Sequence, residues 1–266
     1  MKIGFFDSGL GGLMIMKSCM DIMPDYDYVY LGDTLHVPYG GRSKEAIYAF
    51  SIAAVEELFK RDCQIVIMAC NTASAVILRK LQQEWLKENY PDRRVLGVVV
   101  PTLEAASEKG HKKIGLIATA GTVESDVYRA ELNKIDPDMV ITSQPCPLLV
   151  PLIEYGRREW VGPILGDYLQ PLITANVESL ILGCTHYPLL KGEILAQLYG
   201  TGTELISQDE IIPHKLKDYL ERHSDMAEKL SKKSSQQFLV TDLTPTYSAT
   251  AERIFGTPLH LEKVTV

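Results

Sequence analysis

The sequence predicts an α/β protein built on parallel sheet, and three observations carry that prediction. Short apolar runs alternate with segments of helical spacing along most of the 266 residues, the pattern of strands joined by crossover helices on both sheet faces. One motif occurs twice: an apolar run, a small residue, a cysteine and polar residues, first in Ile65 to Thr72 and again in Leu180 to His186. The copies lie about one small domain apart, so each half of the protein is expected to contribute one cysteine to a shared cleft. Finally, the predicted strands end in turn at Asp7, Asp33, Cys70, Thr119 and Cys184. Ligands of open α/β sheets bind at that edge.

The elements follow in order. Lys2 to Phe6 is a strand running into Asp7-Ser8-Gly9-Leu10-Gly11-Gly12, whose glycines allow a tight turn into a helix spaced by Leu13, Met16 and Met20 and ended by Pro24. Tyr26 to Leu31 is the second strand. The loop Thr34 to Arg42 then leads to a helix from Ser43 to Arg61 that buries Ile47, Phe50, Ala54 and Leu58. Gln64 to Ala69 is a strand that delivers Cys70, followed by a helix over Thr72 to Glu88 that stops before Pro91. The run Val95 to Val100 reads as the fourth strand, with Pro101 leading into a helix over Thr102 to Lys109.

Lys113 to Ala118 is the fifth strand, followed by a helix from Val123 to Lys134 and a strand over Met139 to Ser143. Prolines 145, 147 and 151 break regular structure before an amphipathic helix over Trp160 to Asn176. Ser179 to Gly183 reads as strand, Leu189 to Tyr199 as helix, Glu204 to Ser207 as a short strand and Glu210 to Arg222 as helix. Ser224 to Gln237 is polar and reads as a solvated helix end or loop. Phe238 to Thr241, Thr244 to Phe255 and Leu259 to Val264 close the chain as strand, helix and strand.

Composition narrows the class. A hydrophobic content of 46% with 23% charged residues is that of a soluble globular enzyme. A formal charge of −7 and a pI near 5.4 disfavour tracking of a nucleic-acid backbone, which needs clustered cations. Lys112-Lys113 and Lys232-Lys233 are isolated pairs. No run of about 18 apolar residues is present to span a bilayer, and the chain starts on a strand and not on a leader, so a cytoplasmic location without membrane contact is expected. The five cysteines include no C-x-x-C pair, which argues against a disulfide framework. Cys184 and His186 lack two further ligands at workable spacing, so no metal is expected. The glycines after Asp7 fail the dinucleotide fingerprint, because Met14 stands where its last glycine belongs.

Cys19 and Cys63 sit in helix-patterned surroundings and read as small buried hydrophobes. Cys70 and Cys184 stand at strand-to-helix junctions, where backbone N–H groups and the helix dipole are expected to lower a thiol's pKa. Two thiols facing each other across a cleft suit two-base proton transfer. One takes a proton from one face of a carbon and the other returns one to the opposite face, inverting the centre. N–H donors after each cysteine would receive the charge that moves onto a substrate carboxylate.

Together, Phe6-Asp7-Ser8-Gly9-Leu10-Gly11-Gly12, Tyr30-Leu31-Gly32-Asp33 with Pro38-Tyr39-Gly40, Cys70-Asn71-Thr72-Ala73-Ser74, Thr119 to Ser125, Cys146-Pro147 with Glu154, and Leu182-Gly183-Cys184-Thr185-His186-Tyr187-Pro188 resemble the cofactor-independent glutamate racemases of the aspartate/glutamate racemase superfamily. The resemblance implies two Rossmann-like domains with central parallel sheets related by a pseudo-twofold axis and an active site in the interdomain cleft. Residues 1–96 with 208–266 would form the first domain and 97–207 the second. It implies interconversion of L- and D-glutamate for peptidoglycan by a homodimer that needs no cofactor.

By position, Cys70 and Cys184 would be the acid/base pair. Asp7, with Ser8 beside it, would assist Cys70 and orient the amino group; His186 would assist Cys184. Asn71, Thr72 and Thr185 would hold the α-carboxylate and amino group, while Tyr39 and the Gly40 backbone would read the side-chain carboxylate. Pro38, Thr119 and Thr122 belong to the same motifs and are counted with the substrate-binding set, and Glu154 and Asp33 match positions near the site. The chain departs from the pattern at Val100-Pro101-Thr102, where many members have Glu-Pro-Gly, and at Ser207-Gln208-Asp209, where Asp-Ser is commoner. A racemase of another acidic amino acid, aspartate above all, and a non-catalytic amino-acid-binding module are the alternatives.

Overall fold

The computed structural model describes residues 1–266 and contains two separate parallel sheets. The strands are β1 (Lys2–Asp7), β2 (Tyr28–Gly32), β3 (Cys63–Met68), β4 (Arg94–Gly97), β5 (Lys113–Ala118), β6 (Val140–Pro145), β7 (Ser179–Gly183), β8 (Glu204–Ile206), β9 (Gln236–Val240) and β10 (Leu261–Lys263). The first sheet has the order β10-β9-β2-β1-β3-β4 and the second β6-β5-β7-β8. Every pairing is parallel.

Period-two alternation between two covered faces explains why the interiors of the central strands are largely apolar. In β1, Ile3 and Phe5 enter the core beneath the Gly12–Ile22 helix, while Phe6 points to the opposite face, among Val55, Leu58 and Met68. In the second sheet Leu180 and Leu182 meet the Val161–Thr174 helix, and Ile181 joins Ile114 and Leu116 on the other face. Burial on both faces produces the continuous hydrophobic runs seen in the sequence.

The chain passes between the sheets twice, through the Val99–Glu108 helix after β4 and the Gln208–Arg222 helix after β8, and these two helices pack on each other. The first sheet is therefore assembled from both ends of the chain and the second from one continuous stretch. No helix is long and apolar enough to cross a membrane.

Several elements differ from expectation for identifiable reasons. The strand expected over Val95 to Val100 ends at Gly97, and a helix begins at Val99 with Pro101 in its first turn. The first-turn N–H groups have no intrahelical acceptor, so Pro101 costs nothing there, and burial decides the fate of the valine run. Pro151 occupies a similar place in a helix over Leu149–Glu154 within the segment expected to be irregular. The helix expected from Thr72 to Glu88 is broken after Val76 and includes a π-helical turn at Gln82–Leu86. The 224–237 segment contains a short helix, Ser224–Ala227, and is tied down by Asp27, whose Oδ1 accepts from Ser235 N (2.7 Å) and Oγ (2.6 Å).

Candidate active site

β1, β3 and β7 deliver three short loops to one cleft between the sheets. At the end of β1 the fully buried Asp7 turns its carboxylate back on the following loop, with Oδ2 accepting from Gly9 N and Gly12 N at 3.2 Å each. Thr185, which follows Cys184 on the other sheet, donates to Asp7 Oδ1 at 3.2 Å. The glycines are required by proximity. A Cβ on Gly11 would stand 2.5 Å from Thr185 Oγ1, and one on Gly12 2.8 Å from Asp7 Cβ.

Cys70 caps the Asn71–Val76 helix, with Ala73 N donating to its Sγ at 3.5 Å. Its thiol donates to Ser8 Oγ at 3.2 Å. On the opposite side, Cys184 Sγ lies 3.8 Å from His186 Nδ1, and His186 Nε2 lies 3.1 Å from Glu154 Oε1. Each thiol thus has its own polar partners.

Of the residues singled out in the sequence, Ser8, Pro38, Tyr39, Gly40, Cys70, Asn71, Thr72, Thr119, Cys184, Thr185 and His186 line the cleft, joined by Val37 and Val150. Asp7, Glu154 and Thr122 stand one layer back, reaching it through Thr185, His186 and Thr119. Val37 and Val150 carried no signal, because nothing distinguishes a cleft-lining valine from a core one. The hydroxyls of Thr72, Thr119 and Thr122 form a triangle across the two halves, with sides of 2.9, 3.3 and 3.0 Å. The cleft is closed down to about 20 Å³, room for about one water molecule.

Tyr39 is buried and donates its hydroxyl hydrogen to Asp33 Oδ2 at 2.6 Å, while Thr241 donates to Asp33 Oδ1 at 2.7 Å. What the Tyr39 hydroxyl can present to a ligand is therefore an acceptor lone pair. No three His, Cys, Asp or Glu side chains converge as metal ligands would. A larger hollow of about 820 Å³ lies between β3, β4 and the two crossing helices, but contains no thiol or histidine. Of its charges, Arg79 pairs with Glu131 and Lys215 with Glu104.

Burial governs the electrostatics. It pushes the Cys70 thiol up to about 12, reinforced by the Asp7 charge, and the hydrogen bonds with Ser8 and the Ala73 N–H only partly offset it. The expected lowering at a strand-to-helix junction does not occur, because removal from water outweighs a few oriented N–H groups. Asp7 is likewise raised by burial against the His186 charge, the Gly12 and Gly9 N–H groups and Thr185. For His186 burial opposes the charged form, yet bonding to Cys184 and Glu154 and their charges prevail and hold the imidazole well above its usual range. The two sides of the cleft are chemically unequal: a protonated thiol beside a carboxyl group, and a thiol beside a cation-favouring histidine.

The model of the Asp/Glu/Hydantoin racemase family matches residues 14–208. The glutamate racemase of Phenylobacterium zucineum (strain HLK1) is 36% identical, covering 98% of this chain and 99% of its own. Among solved structures, glutamate racemase isoform RacE1 from Bacillus anthracis superposes with a TM-score of 0.90 at 31% identity, over 100% of this chain and 97% of that one. The glutamate racemase from Francisella tularensis in complex with D-glutamate gives a TM-score of 0.86 at 32% identity, over 99% and 97% of the two chains. A two-sheet chain that brings one thiol from each sheet to a shared cleft, and is matched over nearly its whole length by such relatives, belongs to the Asp/Glu/Hydantoin racemase family.

Proposed function

We propose that the protein is a glutamate racemase that inverts the α-carbon by a two-thiol mechanism. The observation that carries this reading is the placement of Cys70 and Cys184 at corresponding strand ends of two sheets, lining one closed cleft. In one direction the Cys184 thiolate removes the Cα proton and the Cys70 thiol delivers its own to the opposite face; the reverse direction exchanges the roles. The proton count balances, since each turnover moves one proton onto one sulfur and one off the other.

The partners of each thiol support distinct duties. A cationic His186 stabilises thiolate at Cys184, and Glu154 holds the imidazole in place. Ser8 orients the Cys70 thiol, and Asp7, one layer behind the cleft, favours its protonated state and, by accepting the Thr185 hydroxyl hydrogen, leaves Thr185 Oγ1 as an acceptor for the substrate ammonium. Thr72 and Thr119 supply hydroxyls to the carboxylates, together with Asn71 and the backbone of the Pro38-Tyr39-Gly40 turn. We place the domain boundaries at 96/97 and 207/208, within one residue of the end of β4, the last first-sheet strand before the crossing, and of the end of β8, the last strand of the second sheet. The family resemblance supports a cytoplasmic homodimer that supplies D-glutamate to peptidoglycan.

The test is a racemisation assay in deuterated buffer without added pyridoxal phosphate. Either enantiomer of glutamate is expected to gain deuterium at Cα as optical activity decays, and Cys70→Ser or Cys184→Ser to abolish racemisation. A larger kcat/KM for aspartate would overturn the substrate assignment, and tight glutamate binding with no Cα exchange would identify a binding module instead.

A further inference from the structure

We propose that Gln208 is a positioning residue that makes the Asn71 side chain a donor-only contact, so that a carboxylate of the substrate and not its ammonium group docks there. The inference rests on the proposed racemase reading and deepens it. Gln208 opens the helix by which the chain returns to the first sheet, and was visible in the sequence only as a departure from the family pattern.

Four buried side chains from different parts of the fold meet at this point: Asn71 beside Cys70, Thr102 and Tyr128 from the helices after β4 and β5, and Gln208. Asn71 and Gln208 join amide to amide, Asn71 Nδ2 donating to Gln208 Oε1 at 2.7 Å and Gln208 Nε2 to Asn71 Oδ1 at 2.9 Å. Tyr128 donates its hydroxyl hydrogen to the same Asn71 Oδ1 at 2.6 Å. Gln208 Nε2 also lies 3.2 Å from both Thr102 Oγ1 and the Tyr128 hydroxyl.

The orientation of both amides follows from Thr102. Its hydroxyl hydrogen is committed to the Val98 carbonyl at 2.6 Å, so it meets Gln208 as an acceptor. The nitrogen of Gln208 must then face Thr102, and the oxygen of Asn71 must face Gln208 Nε2 and Tyr128. A side-chain amide offers two hydrogens and two lone pairs. Both lone pairs of Asn71 Oδ1 are taken, and one Nδ2 hydrogen is given to Gln208. One Nδ2 hydrogen is left, on a side chain that lines the cleft. It can serve an acceptor such as a carboxylate oxygen and has nothing to offer an ammonium group.

Gln208→Glu keeps the shape but sets an acceptor against Asn71 Oδ1 and Thr102 Oγ1. It is expected to raise KM for both glutamate enantiomers about ten- to a hundred-fold, with kcat changed less than about three-fold, because a uniform binding contact has been loosened. Tyr128→Phe removes one donor to Asn71 Oδ1, leaves the amide pair intact and is expected to raise KM about three- to ten-fold; it carries the test should Gln208→Glu fail to fold. A readout that needs no substrate is the side-chain amide NMR signal of Asn71, expected to be exchange-protected in the wild type and averaged in Gln208→Glu. An unchanged KM, a loss confined to kcat, or an unprotected Asn71 amide in the wild type overturns the proposal. Absence of glutamate turnover by the wild type would instead count against the racemase reading, leaving the amide signals to judge Gln208.

Discussion

Thr185 donates its hydroxyl hydrogen across the cleft to Asp7, Oγ1 to Oδ1 at 3.2 Å, fastening the end of β7 to the end of β1. The contact depends on Gly11, since a Cβ there would lie 2.5 Å from Thr185 Oγ1 and 2.7 Å from its carbonyl carbon. Backbone cannot rotate away as a side chain can. Gly11→Ala is expected to part the loops at a cost of about 1–3 kcal/mol, which in transition-state terms is about a ten- to hundred-fold loss in kcat/KM. Gly192→Ala, where an added Cβ meets nothing within 4 Å, is the control and is expected to keep wild-type turnover. Equal kinetics for the two variants would refute the close-approach argument.

Glu154→Gln preserves the contact with His186 Nε2 but removes the negative charge that helps raise its pKa. Under the proposed two-thiol mechanism the imidazolium loses support and proton transfer at Cys184 slows, while Cys70 keeps Ser8 and Asp7. Because the enantiomers are equally stable, kcat/KM must fall by one common factor for both, here about ten-fold or more. The asymmetry is expected in the kinetic isotope effect of glutamate deuterated at Cα, which grows for the enantiomer whose proton Cys184 removes and shrinks for the other. Isotope effects unchanged for both would disconnect Glu154 from that thiol.

Alkaline stability reports the buried thiols. Burial raises Cys19, Cys63, Cys70 and Cys146 above their ordinary value of 9.0, the last three to about 12. A raised pKa means that the folded state holds the proton more tightly. The contribution is complete below pH 9.0 and is lost as pH climbs towards 12, by about 1.4 kcal/mol per pH unit for each thiol. Urea unfolding at a series of pH values is expected to show stability falling above pH 9, and less steeply in Cys63→Ala. A curve flat to pH 10.5 would contradict the assigned burial.

Strand placement was the most legible part of the sequence. The runs ending at Cys70 and Cys184 are buried at every position, and apolar after Gln64 and Ser179, because both sheet faces are covered, and the polar residues after them fall where the strand edge meets the cleft. Local pattern failed where tertiary packing chose between equals, as in the valines before Pro101, which suit a buried strand and a buried helix alike. The site was legible as a set of residues but not as a set of bonds. Nothing in the sequence told that Tyr39 gives its hydrogen to Asp33 or that the Asn71 side-chain oxygen is saturated by Gln208 and Tyr128. Nor could it weigh the helix terminus against desolvation at Cys70, because desolvation depends on how tightly the two halves close.

The split origin of the first sheet sets an order on its birth. β2 pairs with β9 from Tyr28 opposite Gln236 to Gly32 opposite Val240, so during translation the β2 edge waits for a partner that emerges some two hundred residues later. The sheet β6-β5-β7-β8 needs nothing beyond Ile206. On the ribosome the half carrying Cys184 is therefore complete first, while the half carrying Cys70 holds an open strand edge of the kind that invites mispairing.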